Sequence, residues 1–391
     1  MHLITDTDSL RTFCANLHDT DFITVDTEFM RESTFWPILC LVQVAGPDSY
    51  AAIDPMAPGI DLTPLFDLLA DESVLKVFHA ARQDLEIFLK LTDRIPMPLF
   101  DTQVAAMVCG FGESVSYQQL VSNLADQHID KGSRFTDWSV RPLSDRQIEY
   151  ALADVTHLRT IYTKLAARLE SNGRTPWIEE EMAVLLDHGT YITDPMEAYR
   201  RVKGRGGSGR TLAVMRELAA WRELEARKRD MPRNRVLRDE TLSEIANQTP
   251  RDPDALARSR GLGAKAANGP MGAGILEAVQ RGLDTPKADW PEAPIKKDLP
   301  RGIGPTSDLL KVLVKKVSSE TDVAGKLIAT SPEAELIAAF GEKADVRALK
   351  GWRREIYGDL ALRLRNGEIA LGLNGDQLVV IQRLPESSAA E

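Results

Sequence analysis

Hydrophobic and polar positions in the first half of the chain follow strand-like and helix-like spacings in turn. The predicted order is a helix over 7–17, strands at 22–29, 38–45 and 49–54, a helix over 61–70, a strand at 74–78 and a helix over about 81–91. Three strands joined by such short connections are expected to pair antiparallel. Asp101, Ser116 and Ser144 are suited to begin three later helices, the last reaching about residue 170. Strands that then alternate with helices predict a mixed α/β sheet.

Two acids interrupt the first long strand, whose other residues are mostly apolar or β-branched. Asp26 and Glu28 are two positions apart, so their side chains point to the same face of the sheet. Burying two neighbouring carboxylates is costly unless a cation or another partner offsets their charge. This pattern points to a metal site. The alternative is that one acid caps a neighbouring helix and the other lies at the strand end.

Three further residues are candidates for the same site. Asp84 lies near the start of the helix after the fourth predicted strand, at the sheet edge where α/β proteins place their sites. It could equally complement the dipole of that helix. Tyr150 and Asp154 are four apart and share one face of the long helix after Ser144. A tyrosine that only packs, or lies on the surface, is the alternative for Tyr150.

Composition narrows the class of protein. The chain has 391 residues, of which 43% are hydrophobic, and a mean hydropathy of −0.22, which suit a soluble protein of two or three domains. No apolar run is long enough to cross a membrane, and the start lacks the features of a secretory signal. Cys14, Cys40 and Cys109 are too scattered for a disulfide framework. We therefore expect a cytoplasmic protein.

Charge is distributed unevenly along the chain. Residues 1–199 contain 14 Lys and Arg against 31 Asp and Glu, whereas residues 200–240 contain 13 basic and 6 acidic residues. Carboxylates that bind metal ions would contribute to the first excess. The basic segment is a candidate surface for phosphate groups, although a solvated helix face would have the same composition.

The acids fall in a recognisable order. The segments Val25-Asp-Thr-Glu-Phe29, His79-Ala-Ala-Arg-Gln-Asp84 and Tyr150-Ala-Leu-Ala-Asp154, with Asp137-Trp138 and Arg141-Pro-Leu143 between the last two, resemble the bacterial ribonuclease D family. That family belongs to the DEDD exonuclease superfamily, in the branch whose third motif is Tyr-x-x-x-Asp. The resemblance implies a ribonuclease H-like exonuclease domain over residues 1–190, with a mixed sheet flanked by helices.

The remainder of the chain also resembles that family. Leu218-Ala-Ala-Trp-Arg222 and the positions after it resemble an HRDC domain, a small helical nucleic-acid-binding module, placed at 209–288. A segment rich in proline and lysine over 286–305 is typical of a linker. Residues 306–391, with Gly351-Trp-Arg-Arg-Glu355 and Gly358, resemble a second, degenerate HRDC-like domain. Both are expected to be all-α, and either could bind protein instead of RNA.

The resemblance implies a 3′→5′ exoribonuclease that trims the 3′ ends of precursor tRNA and other stable RNAs and releases nucleoside 5′-monophosphates. Asp26, Glu28, Asp84 and Asp154 would bind two divalent ions, Mg²⁺ or Mn²⁺, because such ions prefer oxygen ligands. Tyr150 would orient the attacking water. The expected partner is RNA with a free, unpaired 3′ end, no membrane is involved, and a monomer is expected. The candidate substrate contacts are Phe29, Met30, His79, Arg134, Trp138 and Arg141. For Trp138, packing is an equal alternative.

Two other functions fit parts of the sequence. A DNA-directed exonuclease would use the same five residues, because proofreading domains of polymerases share them. The two HRDC-like segments, and the lack of a polymerase-sized remainder, argue against it. A catalytically silent RNA- or protein-binding scaffold is the other alternative, and the intact set of five residues argues against that.

Overall fold

The computed structural model describes residues 2–129, 136–203, 206–292 and 299–383. Six strands form one sheet in the first part of the chain. They are β1 (Leu3–Ile4), β2 (Phe22–Met30), β3 (Ile38–Ala45), β4 (Tyr50–Ile53), β5 (Leu75–Phe78) and β6 (Leu99–Asp101). The spatial order is β1-β4-β3-β2-β5-β6. The β2–β3 and β3–β4 pairs are antiparallel, as predicted, and the other three pairs are parallel.

Helices flank this sheet, and the fold class predicted from the sequence is confirmed for this part. They are α1 (Thr7–Ala15), α2 (Thr63–Ala70), α3 (Arg82–Thr92), α4 (Thr102–Val108), α5 (Tyr117–Leu120), α6 (Asp145–Ser171) and α7 (Thr175–Leu186), with a π-helical turn at Val121–Ala125. The side chains of Asp101, Ser116 and Ser144 accept the predicted N-cap hydrogen bonds of α4, α5 and α6. The short edge strands β1 and β6, and helix α7, were not predicted.

The next part of the chain is helical. Two 3-10 turns, at His188–Thr190 and Pro195–Arg201, come first. The helices are α8 (Gly209–Lys228), α9 (Arg233–Val236), α10 (Asp239–Gln248), α11 (Pro253–Leu256), α12 (Ala264–Ala267) and α13 (Pro270–Asp284), and a third 3-10 turn, at Lys287–Asp289, follows them. These helices surround a hydrophobic core of their own that includes Leu218, Leu242 and Ile275.

A loop of the sheet part connects to these helices. Phe35, which follows β2, is 6% exposed and packs with Ala226 and Val236. The carboxylate of Asp230 accepts hydrogen bonds from the backbone N–H groups of Phe35 and Trp36, at 3.1 and 3.0 Å. The strand that carries Asp26 and Glu28 therefore leads directly into the contact with the helical part.

The last described part folds against the sheet part. Its helices are α14 (Gly304–Thr321), α15 (Gly325–Ile328), α16 (Ser331–Phe340), α17 (Gly351–Arg353) and α18 (Asp359–Arg365), with 3-10 turns at Gly341–Lys343 and Arg347–Leu349 and a π-helical turn at Arg354–Gly358. A hairpin of β7 (Ile369–Asn374) and β8 (Gln377–Gln382) follows. The prediction of an all-α segment did not include this hairpin.

Aromatic and charged side chains hold this last part in place. Trp352 stacks on Trp177 of α7, with ring centroids 4.4 Å apart. Arg353, 1% exposed, pairs with Glu180 at 2.9 Å and also with Glu181. The buried apolar residues of the sheet part and of the last part consequently form one continuous cluster. The division at 1–190, 209–288 and 306–391 stays a prediction.

Membrane association through a spanning helix finds no support within the described ranges, since none of their helices is both long and apolar enough to cross a bilayer.

Candidate active site

Strand β2 and helix α6 bring three of the predicted acids together. Asp26 and Glu28 lie on the same face of β2, as its alternation predicts, and Asp154 faces them from α6. Each of the three can offer one carboxylate oxygen within 4.8 Å of the other two. A register irregularity between Glu28 and Phe29 interrupts the β2–β3 pairing directly after the second acid. Such irregularities re-aim side chains and are frequent beside functional sites.

Asp84 lies beside this group, in the first turn of α3. It is 6% exposed, and the hydroxyl of Thr27 donates a short hydrogen bond to its Oδ1. Burial, and then the charge of Asp26, raise the pKa of Asp84 well above its ordinary value, and the charge of Asp84 contributes in turn to the raised pKa of Glu28. Asp84 is thus part of the same acidic pocket. Its place in the first turn also suits the helix dipole.

The electrostatics of this pocket are unfavourable without a cation. Burial, and then the charges of Asp26, Asp154 and Asp84, raise the pKa of Glu28 from 4.5 to about 9. Burial and the charge of Asp154 likewise raise the pKa of Asp26 well above its ordinary value. No Lys or Arg in the described ranges forms an ion pair with Asp26, Glu28 or Asp84. Clustered carboxylate oxygens without a protein cation suit Mg²⁺ or Mn²⁺, so these residues fit divalent metal binding.

Two hydroxyl groups that the sequence analysis did not identify position Asp154. Tyr117 donates hydrogen bonds from its phenol to the backbone carbonyls of Ala153 and Asp154, at 3.1 and 2.5 Å. Thr24, two residues before Asp26, donates to the carbonyl of Val155 at 2.8 Å. These contacts tie the Asp154 turn of α6 to β2 and α5. Thr24 is adjacent to the first motif, whereas nothing in the sequence singles out Tyr117.

Tyr150 also lies on α6, one turn before Asp154, with its ring centroid 6.3 Å from that of Trp138. It lines a cavity of about 170 Å³ together with His128, Arg146 and His157. A water molecule or a substrate group could enter this cavity beside Tyr150.

The predicted substrate contacts have different surroundings. Trp138 is 3% exposed and packs with Cys40 and Leu152, which favours the packing alternative. The guanidinium of Arg141 forms a bidentate pair with the carboxylate of Asp54, at 2.7 and 2.8 Å, so it is already occupied within the protein. Arg134 lies outside the described residues. Phe29 and Met30 are half-buried at the end of β2, next to the acids.

His79 is the remaining predicted contact, and its hydrogen bonds define its tautomer. The hydroxyl of Thr102 donates to the carbonyl of Phe78 at 3.0 Å, so it can only accept at the 3.0 Å contact with Nδ1 of His79. Nδ1 therefore carries the proton, as assigned from this pattern. Burial lowers the pKa of His79, so the ring is neutral and Nε2 is an acceptor.

An ion pair connects the two acid-bearing segments. Arg31, three residues after Glu28, donates to both carboxylate oxygens of Glu86 at 2.6 and 2.8 Å. Glu86 is two residues after Asp84 on α3. This bidentate pair holds the end of β2 and the start of α3 at a fixed separation.

Comparisons with known proteins agree with this geometry. Residues 1–170 match the 3'-5' exonuclease family and residues 211–279 match the HRDC domain family. A protein of Granulibacter bethesdensis named ribonuclease D is 49% identical over 97% of this chain and 96% of its own length. One of Nitrobacter hamburgensis with the same name is 48% identical over 98% and 100%. The crystal structure of Escherichia coli RNase D, described as an exoribonuclease involved in structured RNA processing, has a TM-score of 0.81 and 30% identity, covering 93% of this chain and 98% of that one.

Proposed function

The chain belongs to the ribonuclease D family and is a 3′–5′ exoribonuclease, and from this premise we propose that it trims unpaired 3′ tails of precursor tRNA and other stable RNAs. The observation that carries the proposal is the convergence of Asp26 and Glu28 of β2 with Asp154 of α6, with Asp84 of α3 beside them. The products would be nucleoside 5′-monophosphates.

Divalent metal ions are part of this activity, and we propose that two are used. Asp26, Glu28, Asp84 and Asp154 would bind them, because these four carboxylates provide the charge and the oxygen ligands that two such ions need. When bound, the ions would supply charge stabilisation for the attacking and leaving oxygens of the phosphodiester. Thr27 would keep one oxygen of Asp84 occupied and so fix the direction of the other. Thr24 and Tyr117 would keep Asp154 in position from behind.

Tyr150 would hold the attacking water. A phenol has an ordinary pKa of about 10, so at neutral pH it keeps its proton and acts through hydrogen bonding rather than as a base. Its place one turn before Asp154 puts it on the same side of α6 as the acidic pocket.

Phe29, Met30 and His79 would contact the terminal nucleotides. The two β2 residues are next to Glu28 and only half-buried, so their side chains can meet a base. The neutral His79 offers Nε2 as a hydrogen-bond acceptor, which a ribose hydroxyl could donate to. A contact of this kind would distinguish RNA from DNA.

Because the site is enclosed, we expect the substrate to need an unpaired 3′ end. The acids lie between the sheet and α6, so the last phosphodiester has to enter end first. Removing nucleotides from a helix costs a few kcal/mol per step, and the sequence has no Gly-x-x-x-x-Gly-Lys-Ser/Thr loop through which ATP could supply that energy. We therefore expect the enzyme to stop near a stable stem.

Digestion of a precursor tRNA with a 3′ tail, read at nucleotide resolution, tests the proposal. Intermediates should accumulate close to the acceptor stem in the presence of Mg²⁺. A DNA strand of the same sequence as the tail should be degraded much more slowly. Equal rates on the two tails would favour the DNA-directed alternative, and uninterrupted digestion through the stem would contradict the end-first geometry.

A further inference from the structure

A cavity lies where the loop after β2 meets the HRDC-like helices. It consists of two adjoining spaces of about 420 and 130 Å³, which we call the junction cavity; both are lined by Arg31, Phe35, Arg201 and Arg233. Two of its lining residues come from the segments that carry the acids of the active site. Arg31 is three residues beyond Glu28, and the residue that lines it from α3, Arg82, is two residues before Asp84.

The lining of this cavity carries more positive than negative charge. It has six arginines and three carboxylates, and these nine residues are Arg31, Arg82, Arg201, Arg222, Arg227, Arg233, Glu86, Glu223 and Asp239. Each acid is already paired with an arginine of the lining: Glu86 with Arg31, Glu223 with Arg227 and Arg233, and Asp239 with Arg222. The excess positive charge is therefore not neutralised within the protein.

Arg82 and Arg201 account for two of the three excess charges, and the third arises because Arg227 and Arg233 share Glu223. Arg201 is exposed and its side chain has no ion pair or hydrogen bond to any part of the chain that the structure describes. Arg82 is exposed as well, and its guanidinium donates only to the carbonyl of Thr190, at 3.4 Å. Two arginines without carboxylate partners, facing one cavity, are the arrangement that binds phosphate groups.

A second cavity continues from the first. Asn234 lines both the junction cavity and a space of about 940 Å³ within the HRDC-like helices. Arg235, Arg238 and Arg260 line this larger space, together with Glu240 and Glu244. Within the described ranges, the side chains of these three arginines form no ion pair or hydrogen bond. The half-buried Ala266 and Met271 give the space an apolar side on which a base could pack.

We propose that these two cavities form one binding path for the RNA strand, which leaves the acidic pocket past Arg82, crosses the junction cavity at Arg201 and enters the HRDC-like cavity at Arg238. The arginines contact successive phosphates, and the order of the three along the path is fixed by the cavities that they line. This path rests on the proposed function, since it takes single-stranded RNA as the substrate.

Initial rates on unstructured RNA strands of increasing length test the path in the full chain. Arg201→Gln and Arg238→Gln each remove one unpartnered cation, so the fold should be retained. We expect each to lower kcat/KM on long strands roughly fivefold to tenfold, and to reduce the slope of log(kcat/KM) against log[salt] by about one. Neither should affect cleavage of a dinucleotide, which cannot reach the cavities. The effect of Arg201→Gln should begin at a shorter strand length than that of Arg238→Gln.

Arg251→Gln is the matched control, because Arg251 is exposed, lies in the same helical part and lines neither cavity. It should leave rates and salt slope unchanged. The path is overturned if both variants behave as this control does, if either slows dinucleotide cleavage equally, or if both take effect at the same length. A loss of inhibition by added nucleoside 5′-monophosphate, with an unchanged salt slope, would assign the junction cavity to a free nucleotide and also overturn it. Absence of RNA cleavage by the unmodified chain would instead contradict the proposed function.

Discussion

Replacing Asp26 by Asn should remove activity and at the same time make the metal-free protein more stable. Asp26 and Glu28 have oxygens within 4.8 Å of each other, and Asp154 lies within the same distance. At an effective dielectric constant of about 20, two unit charges at that separation repel by about 3 kcal/mol. The Asn side chain keeps the shape of Asp but carries no charge, so the repulsion is relieved.

The size of this gain depends on pH. The pKa of Glu28 is raised from 4.5 to about 9, so between these values the folded chain holds a proton that the unfolded chain has lost. The stability of the metal-free protein therefore falls as the pH rises through this window. The repulsion from Asp26 is largest at the upper end, where the acids of the pocket ionise. We expect Asp26→Asn to stabilise the protein by at most about 3 kcal/mol near pH 9 and by almost nothing near pH 5.

Thermal unfolding of the full chain in EDTA, at pH 9 and at pH 5, measures the stabilisation by Asp26→Asn. A change of about 3 kcal/mol corresponds to roughly 6–12 °C in Tm for a folding unit of this size. Asp19→Asn is the control, since Asp19 is exposed and its side chain has no ion pair or hydrogen bond in the described residues. Added Mg²⁺ should raise the Tm of the unmodified chain and of the control more than that of Asp26→Asn. A lower Tm for Asp26→Asn at pH 9 in EDTA, or turnover equal to that of the unmodified chain, would refute the reasoning.

Three further changes test how the site and its supports are held. Tyr117→Phe removes the hydroxyl that holds the Asp154 turn and should lower kcat with little change in KM, at a cost of about 1 kcal/mol in stability. Tyr162→Phe, on α6, should leave kcat unchanged, and equal kcat values for the two variants would show that Tyr117 does not position Asp154. Arg353→Met leaves the buried Glu181 with only Arg347, at 4.0 Å, so it should lower the free energy of unfolding in urea by about 3 kcal/mol. Adding Glu181→Leu should restore part of that loss, and an unchanged free energy of unfolding would contradict this. Phe35→Ala removes the side chain that packs between the loop and the HRDC-like helices, so it should lower the free energy of unfolding by about 3 kcal/mol and speed hydrogen exchange of the Trp36 amide. Unaltered exchange would mean that the contact does not depend on Phe35.

The sequence predicted the parts of the site that local spacing determines. Asp26 and Glu28 share a face because strand side chains alternate, and Ser144 begins α6 because its hydroxyl caps a helix. The convergence of Asp84 and Asp154 on the strand was implied by the family resemblance, because spacing within one element says nothing about contacts between distant elements. The roles of the five residues stay predictions.

Other features depend on tertiary contacts that no local pattern contains. Tyr117 supports Asp154 across 37 positions of sequence, and Arg141 is held by Asp54 across 87. Trp138 has an aromatic ring suited to stacking on a base, but its neighbours bury it. The hairpin β7–β8 did have a local signal, since Gly375-Asp376 between two strand-like segments is typical of a tight two-residue turn. The expectation of an all-helical module concealed it.

Digestion of an unstructured RNA strand that carries a label on its 5′ end tests the central claim most directly. With Mg²⁺, the full chain should shorten the labelled strand one nucleotide at a time from its 3′ end and release nucleoside 5′-monophosphates. In EDTA, or with Asp26→Asn, the strand should remain intact. Labelled mononucleotide at the earliest times, internal cuts, or undiminished digestion in EDTA would contradict a metal-dependent 3′–5′ exoribonuclease built on Asp26, Glu28, Asp84 and Asp154.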